Sequence, residues 1–279
     1  MNKIIVALDS LRPSEPAVSY AMDICKSLDA HLVAVFMDDF TNSSFKTHQM
    51  LQSRFIISEE KYETCIQEDN RTREEAVLLF KEMADRENLE YTIHHDRNIS
   101  LKELVAESNY ADLVIIENKE TMSFYAENPP THFLKYLLQE IHCPVLVVPG
   151  DYRKINKVLF LYDGEPYSAK AIKMFSYLFP VYTENQAEVL TVKSQKGDRH
   201  DLNNQLLKEY MNSHFPHTIY TALNGLPDVE IIKYLKCKYE NELIVLGSYH
   251  RGRVSRLINP SIAEALMREI KTPLFIDHN

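Results

Sequence analysis

Two stretches of the chain are apolar almost without interruption and end on an aspartate: Lys3-Ile4-Ile5-Val6-Ala7-Leu8-Asp9 and Lys157-Val158-Leu159-Phe160-Leu161-Tyr162-Asp163, 154 positions apart. Runs that are apolar on both faces suit strands buried in a parallel sheet. Each is followed by a turn rich in Ser, Pro or Gly. A helical spacing then begins, carried by Ala17, Tyr20, Ala21 and Ile24 in one half and by Ala171, Met174, Phe175 and Leu178 in the other. The order strand, turn, helix therefore occurs twice.

The doubling continues along the chain. Leu32-Val33-Ala34-Val35-Phe36 answers to Val189-Leu190-Thr191-Val192, and Tyr91-Thr92-Ile93 to Thr218-Ile219-Tyr220. Asp112 to Ile116 answers to Glu242 to Leu246, and Pro144 to Val148 to Pro273 to Ile276. Five short strands alternating with helices in each half predict an α/β protein with two doubly wound five-stranded parallel sheets. The polar stretch Pro149-Gly150-Asp151-Tyr152-Arg153-Lys154 places the expected boundary, giving units 1–150 and 151–279.

The halves are unequal. The spacing between equivalent positions falls from 157 at the second strand to about 126 at the third, so the first half carries about 30 extra residues, placed at about 40–70. Phe45, Met50, Leu51, Phe55, Ile56 and Ile57 are interleaved there with charges, which predicts a helical excursion and not a disordered linker. It either packs on its own unit or serves as a lid or partner surface.

Composition narrows the function classes. With 279 residues and 45% hydrophobic positions, the chain can build one large core or two ordinary ones, and its net charge of −9 with no dense Lys/Arg block argues against nucleic acid as a partner. Cys25, Cys65, Cys143 and Cys237 are far apart with no C-x-x-C pair, so buried free thiols are expected in place of a zinc or disulfide framework. The N-terminal apolar run stops at Asp9, and no stretch approaches the roughly 18 apolar residues of a membrane span. A cytoplasmic protein without membrane partners is the expectation. His94-His95-Asp96 is the one local cluster of metal-ligand types, and adjacent residues on an extended segment point to opposite sides, so no metal site is expected.

In open α/β sheets ligands bind beyond the carboxyl ends of the strands, where the strand order reverses. Asp9 and Asp163 stand at that place. Either could accept hydrogen bonds from an adenine amino group or a ribose, or could cap the turn that follows it.

Several motifs resemble the universal stress protein family. Asp163-Gly164-Glu165-Pro166-Tyr167-Ser168-Ala169-Lys170-Ala171 looks like its first strand-to-helix turn. Leu243 to Ser248, followed by Arg251, Ser255, Arg256, Leu257, Ser261, Ala263 and Thr272-Pro273, resembles its closing stretch. Asp9-Ser10 with Ser14 and Ala17, and Cys143 to Val148, are similar to the same two regions. The resemblance implies strand order 3-2-1-4-5 with the fifth strand at an edge used for dimerisation. In a tandem chain it implies an intramolecular pseudo-dimer that pairs Val145 to Val148 with Leu274 to Ile276. A homodimer of the whole chain is compatible with it.

The nucleotide-binding branch of that family uses Gly, two residues, Gly, nine residues, then Gly and Ser or Thr. Here Gly247 keeps the first position, His250 and Pro260 replace the next two glycines, and Ser261 keeps its type. His250 adds a side chain where backbone should meet phosphate, and Pro260 removes an N–H donor. Ser261 with Glu264 also has the spacing of a capping box. Tyr249-His250-Arg251-Gly252-Arg253 is either an anion patch or a solvated loop.

The first half has no glycine before Gly150, Glu117 replaces the first loop glycine, and Thr131-His132 replaces the Gly-Ser before the last helix. The resemblance therefore implies no ATP in that half. Candidate cofactor-binding residues are Asp163, Gly164, Gly247, Ser248, Arg251 and Ser261, for ATP in the C-terminal half.

Sequence motifs of the common enzyme chemistries are absent, so no catalytic residue is named. Two readings follow. One is a stress-response regulatory or interaction protein without enzymatic activity, working through protein partners and needing no cofactor. The other is an ATP-binding protein with slow hydrolysis in the second half. Adenylyl transfer would need a glycine-serine loop after the first strand, which neither turn supplies.

Overall fold

The computed structural model describes residues 2–38, 44, 47, 59–95, 101–123, 125–183, 185–193, 200–238, 242–247 and 262–277. It falls into two compact units, Met1–Ile141 and His142–Asn279.

The first unit contains β1 (Lys3–Asp9), β2 (His31–Met37), β3 (Tyr91–His94) and β4 (Leu113–Glu117) in the order β3-β2-β1-β4. All three pairings are parallel, with Asp9 beside Met37 and Val6 beside Ile115. β1 runs between β2 and β4 and is buried from Ile4 to Asp9. That is why it carries no alternation of polar residues.

Helix α1 (Glu15–Leu28) follows β1, started by Ser14, whose hydroxyl accepts from the Ala17 N–H at 3.2 Å. α2 (Glu59–Arg86) is one continuous helix of 28 residues, about 42 Å long. The latter half of α2 is anchored by Phe80, packed edge-on against Phe36 and Tyr91, and Arg73 pairs with Asp38 at 2.9 Å. Residues 59–70 of the extra segment belong to this helix, and most of 40–58 lies outside the described residues. α3 (Leu101–Ser108) and α4 (His132–Glu140) complete the unit.

The second unit contains β5 (Val145–Val148), β6 (Lys157–Leu161), β7 (Gln186–Lys193), β8 (Ile219–Asn224), β9 (Glu242–Gly247) and β10 (Leu274–Asp277). Their order is β5-β10-β9-β6-β7-β8, so the second repeat has the expected order 3-2-1-4-5. The fifth strand of the first repeat, β5, pairs antiparallel with β10, Leu146 against Phe275 and Val145 against Ile276. This is the pairing expected of a tandem chain. The repeat in the sequence and the compact units are thus different divisions, because β5 is held by β10 and is counted with it.

α5 (Pro166–Leu178), α6 (His200–His214), α7 (Pro227–Lys238) and α8 (Ile262–Glu269) cover this sheet. Its core is aromatic: Phe175 stacks on Phe179 at 4.8 Å and meets Phe275 edge-on at 5.3 Å, while Phe160 lies 5.0 Å from Phe215. Cys25, Cys65 and Cys143 are buried free thiols and Cys237 is exposed. Among the described residues no helix is long and apolar enough to cross a membrane.

Candidate functional site

In each unit the strand order reverses beside the first strand of the repeat, at β1 and β4 in one case and β6 and β9 in the other. Their carboxyl ends are where a ligand would be held.

In the second unit β6 ends at Leu161, and Tyr162 continues only as a backbone N–H bonded to Leu190 at 3.0 Å. Asp163 follows in the turn. Its Oδ1 accepts from the Glu165 N–H at 3.0 Å and from the Ser168 hydroxyl at 2.8 Å, so this carboxylate organises the turn and the first residues of α5. Gly164 has φ +86°, a left-handed backbone that glycine adopts without strain.

Gly247 closes β9 against the same turn. A Cβ there would stand 2.4 Å from the Tyr167 carbonyl oxygen and 3.0 Å from the Ser168 nitrogen. Asp163, Gly164 and Gly247 are therefore brought together around Ser168. Asp277 ends β10 in register with Gly247 and lies 3.6 Å from the Lys170 ammonium. Ser248, Arg251 and Ser261 lie outside the described residues, as do His250 and Pro260.

The first unit fills the corresponding place with its own side chains. Asp9 is 1% exposed, and its Oδ1 accepts from the Leu11 and Arg12 N–H groups at 2.8 and 3.3 Å. Its Oδ2 takes the Arg12 guanidinium at 3.1 Å, and the same guanidinium nitrogen donates to the carbonyl oxygen of Ser123. Glu117 ends β4, and Glu120 turns inward, where it is buried. Both the Thr121 and Met122 N–H groups donate to Glu120 Oε1 at 3.0 Å. Burial, and next the charge of Asp9, push the Glu120 carboxyl up to about 7.

The start of α4 is also occupied internally. Thr131 caps it, accepting from the Leu134 N–H at 3.1 Å, and its hydroxyl donates to the Glu120 carbonyl oxygen. Glu127 places a carboxylate oxygen 2.8 Å from both the backbone nitrogen and Nδ1 of His132. An anion is favoured at a helix N-terminus. Here the protein supplies it.

His94 lies in β3 with Nδ1 2.9 Å from both Glu107 carboxylate oxygens, and Asp96 is outside the described residues. Among the described residues no three His, Cys, Asp or Glu side chains are placed to hold a metal ion.

Sequence reasoning named Asp9, Asp163, Gly164 and Gly247 at these sites but missed Arg12, Glu120 and Glu127. Arg12 and Ser123 are 111 positions apart, and a lone glutamate in a polar stretch carries no signal of burial. Only the loss of glycine from the first half pointed to a loop filled in another way.

A family model described as the universal stress protein family matches residues 1–149. Among solved structures, a universal stress protein from Archaeoglobus fulgidus DSM 4304 superposes with TM-score 0.70 at 15% identity, covering 100% of this chain and 96% of that one. A functionally unknown protein from Pseudomonas aeruginosa PAO1 gives TM-score 0.62 at 14% identity, covering 100% and 92%. No curated protein matches the sequence.

Proposed function

Since this chain belongs to the universal stress protein family, whose model spans residues 1–149, we propose that it is a non-enzymatic regulatory or interaction protein whose first half does not hold ATP in the family's manner. The supporting observation is the Arg12 guanidinium, bonded to Asp9 on one side and to the Ser123 carbonyl on the other. It takes up the hydrogen-bonding capacity that Asp9 would otherwise turn toward a ligand. Glu127 adds a fixed negative charge at the α4 N-terminus, which would repel a phosphate.

The residues of the second half that resemble a nucleotide site also have packing duties. Asp163 holds the Glu165 N–H and the Ser168 hydroxyl, and Gly247 makes room for Tyr167. Neither needs a ligand to account for its presence.

The second reading is an ATP-binding protein, with slow hydrolysis, built on Asp163, Gly164, Gly247, Ser248, Arg251 and Ser261. It is favoured by one contrast: Asp163 is partly exposed, whereas Asp9 is 1% exposed.

Thermal unfolding with and without millimolar ATP separates the two. A ligand present at about 100 times its dissociation constant adds about 2.7 kcal/mol. An unchanged unfolding temperature supports the nucleotide-independent reading. A rise that disappears in Asp163→Ala overturns it.

A further inference from the structure

The segment Asn118–Ser123 follows the end of β4 and is tied down at its middle and at its far end. Arg12, itself bonded to Asp9, donates to the Ser123 carbonyl, and the Thr131 hydroxyl donates to the Glu120 carbonyl. Between these ties the Glu120 side chain folds back to accept two successive N–H groups, Thr121 and Met122. Met122 sits at φ +51°, a left-handed backbone that costs a non-glycine residue some energy. The turn is therefore held by its hydrogen bonds against its own preference.

Glu120 has acidic neighbours from two strands. Asp9 faces it from β1 and Glu117 from the end of β4, both acidic. Arg12, from the turn ahead of α1, is a cation bonded to Asp9. Thr131 at the α4 cap is uncharged, and Glu127 and His132 pair with each other. Ser10 Oγ and Asn118 Oδ1 are buried at the ends of the same two strands, with no hydrogen-bond partner among the described residues. Loosening the segment would let water reach both.

We propose that Asn118–Ser123 is a proton-controlled strap over the carboxyl ends of β1 and β4, closed when the Glu120 carboxyl is neutral and loosened when it ionises beside Asp9. A neutral carboxyl keeps one oxygen on the Thr121 and Met122 N–H groups without repelling Asp9. An ionised one accepts the same two N–H bonds more strongly, but it is a buried charge beside Asp9, and burial and that repulsion outweigh the bonds. Burial and the charge of Asp9 raise the Glu120 carboxyl from its ordinary 4.5 to about 7. The closing contribution is thus complete below about 4.5 and is lost as pH rises through about 7. Asp163 and the second unit take no part, so this inference stands whether or not ATP binds there.

Hydrogen exchange of the full chain tests it, read at the Thr121, Met122 and Ser123 amides and corrected for the intrinsic pH dependence of exchange. Protection should fall about thirtyfold from about pH 5.5 to about 8.5. In Glu120→Gln it should stay level, and in Glu242→Gln, far along the chain, it should fall as in the wild type. Level protection in the wild type, or an undiminished fall in Glu120→Gln, overturns the proposal.

Should Glu120→Gln not fold, the wild type alone decides. The Thr121 and Met122 amide resonances should move together with a midpoint near neutrality. No movement, or a midpoint in the ordinary glutamate range, contradicts the strap.

Discussion

Gly247 packs so closely on Tyr167 that a Cβ at 247 would stand 2.4 Å from the Tyr167 carbonyl oxygen. The end of β9 and the start of α5 therefore meet through bare backbone. Gly247→Ala must push these elements apart, which should cost about 1–3 kcal/mol. Chemical denaturation checks this, and the loss should be the same with and without ATP. A loss confined to the nucleotide-containing sample would assign Gly247 to a ligand.

Asp163 is expected to stabilise the turn it begins. Asp163→Ala leaves the Glu165 N–H and the Ser168 hydroxyl without this acceptor. The cost should be about 1–2 kcal/mol, smaller in Asp163→Asn, which keeps one acceptor oxygen. Equilibrium unfolding of both variants measures the difference.

A second buried acid lies at the opposite, amino ends of the strands in the second unit. Lys157 is 2.9 Å from Glu188 and 3.8 Å from Glu242, and Glu188 also accepts from the Thr221 and Tyr234 hydroxyls. Burial pushes the Glu242 carboxyl up to about 7, Lys157 opposing the shift and Glu188 adding to it. Because the folded protein favours neutral Glu242, this residue's contribution is complete below about 4.5 and is lost as pH rises through about 7. Stability measured between those values should decline with pH, and less steeply in Glu242→Gln.

Removing the lysine should do more harm than removing the acid. Lys157→Met leaves Glu188 buried without its cation, a loss of about 3–5 kcal/mol by comparison with other broken buried pairs. The same substitution combined with Glu188→Gln should recover part of that loss. Denaturation of the single and double variants tests whether the pair is coupled.

These residues also explain what could be read in advance. The strands were legible because a strand buried on both faces is a continuous apolar run, as from Ile4 to Leu8 and Val158 to Leu161. The apolar run predicts a start at Val189 for β7, although the strand starts at Gln186. Glu188 hid its first turn of pleat, since its burial depends on Lys157, Thr221 and Tyr234 from three other elements. Asp163 is legible in its place, and the turn it holds is one of the two duties the sequence leaves open, because a carboxylate at a strand end suits a ligand and a turn alike. Arg12 and Glu120 leave less trace: Arg12 pairs with Asp9 three positions away, but its second partner is the Ser123 carbonyl 111 positions on, and Glu120 accepts from backbone N–H groups.

The central claim is that the first half is closed by its own side chains and that the chain works without nucleotide. Titration calorimetry of the full chain with ATP tests it most directly. The account predicts no saturable heat at millimolar ATP, in the wild type and in Asp163→Ala alike. Saturable one-to-one binding in the wild type, lost in Asp163→Ala, would contradict it and make the second half a working nucleotide site.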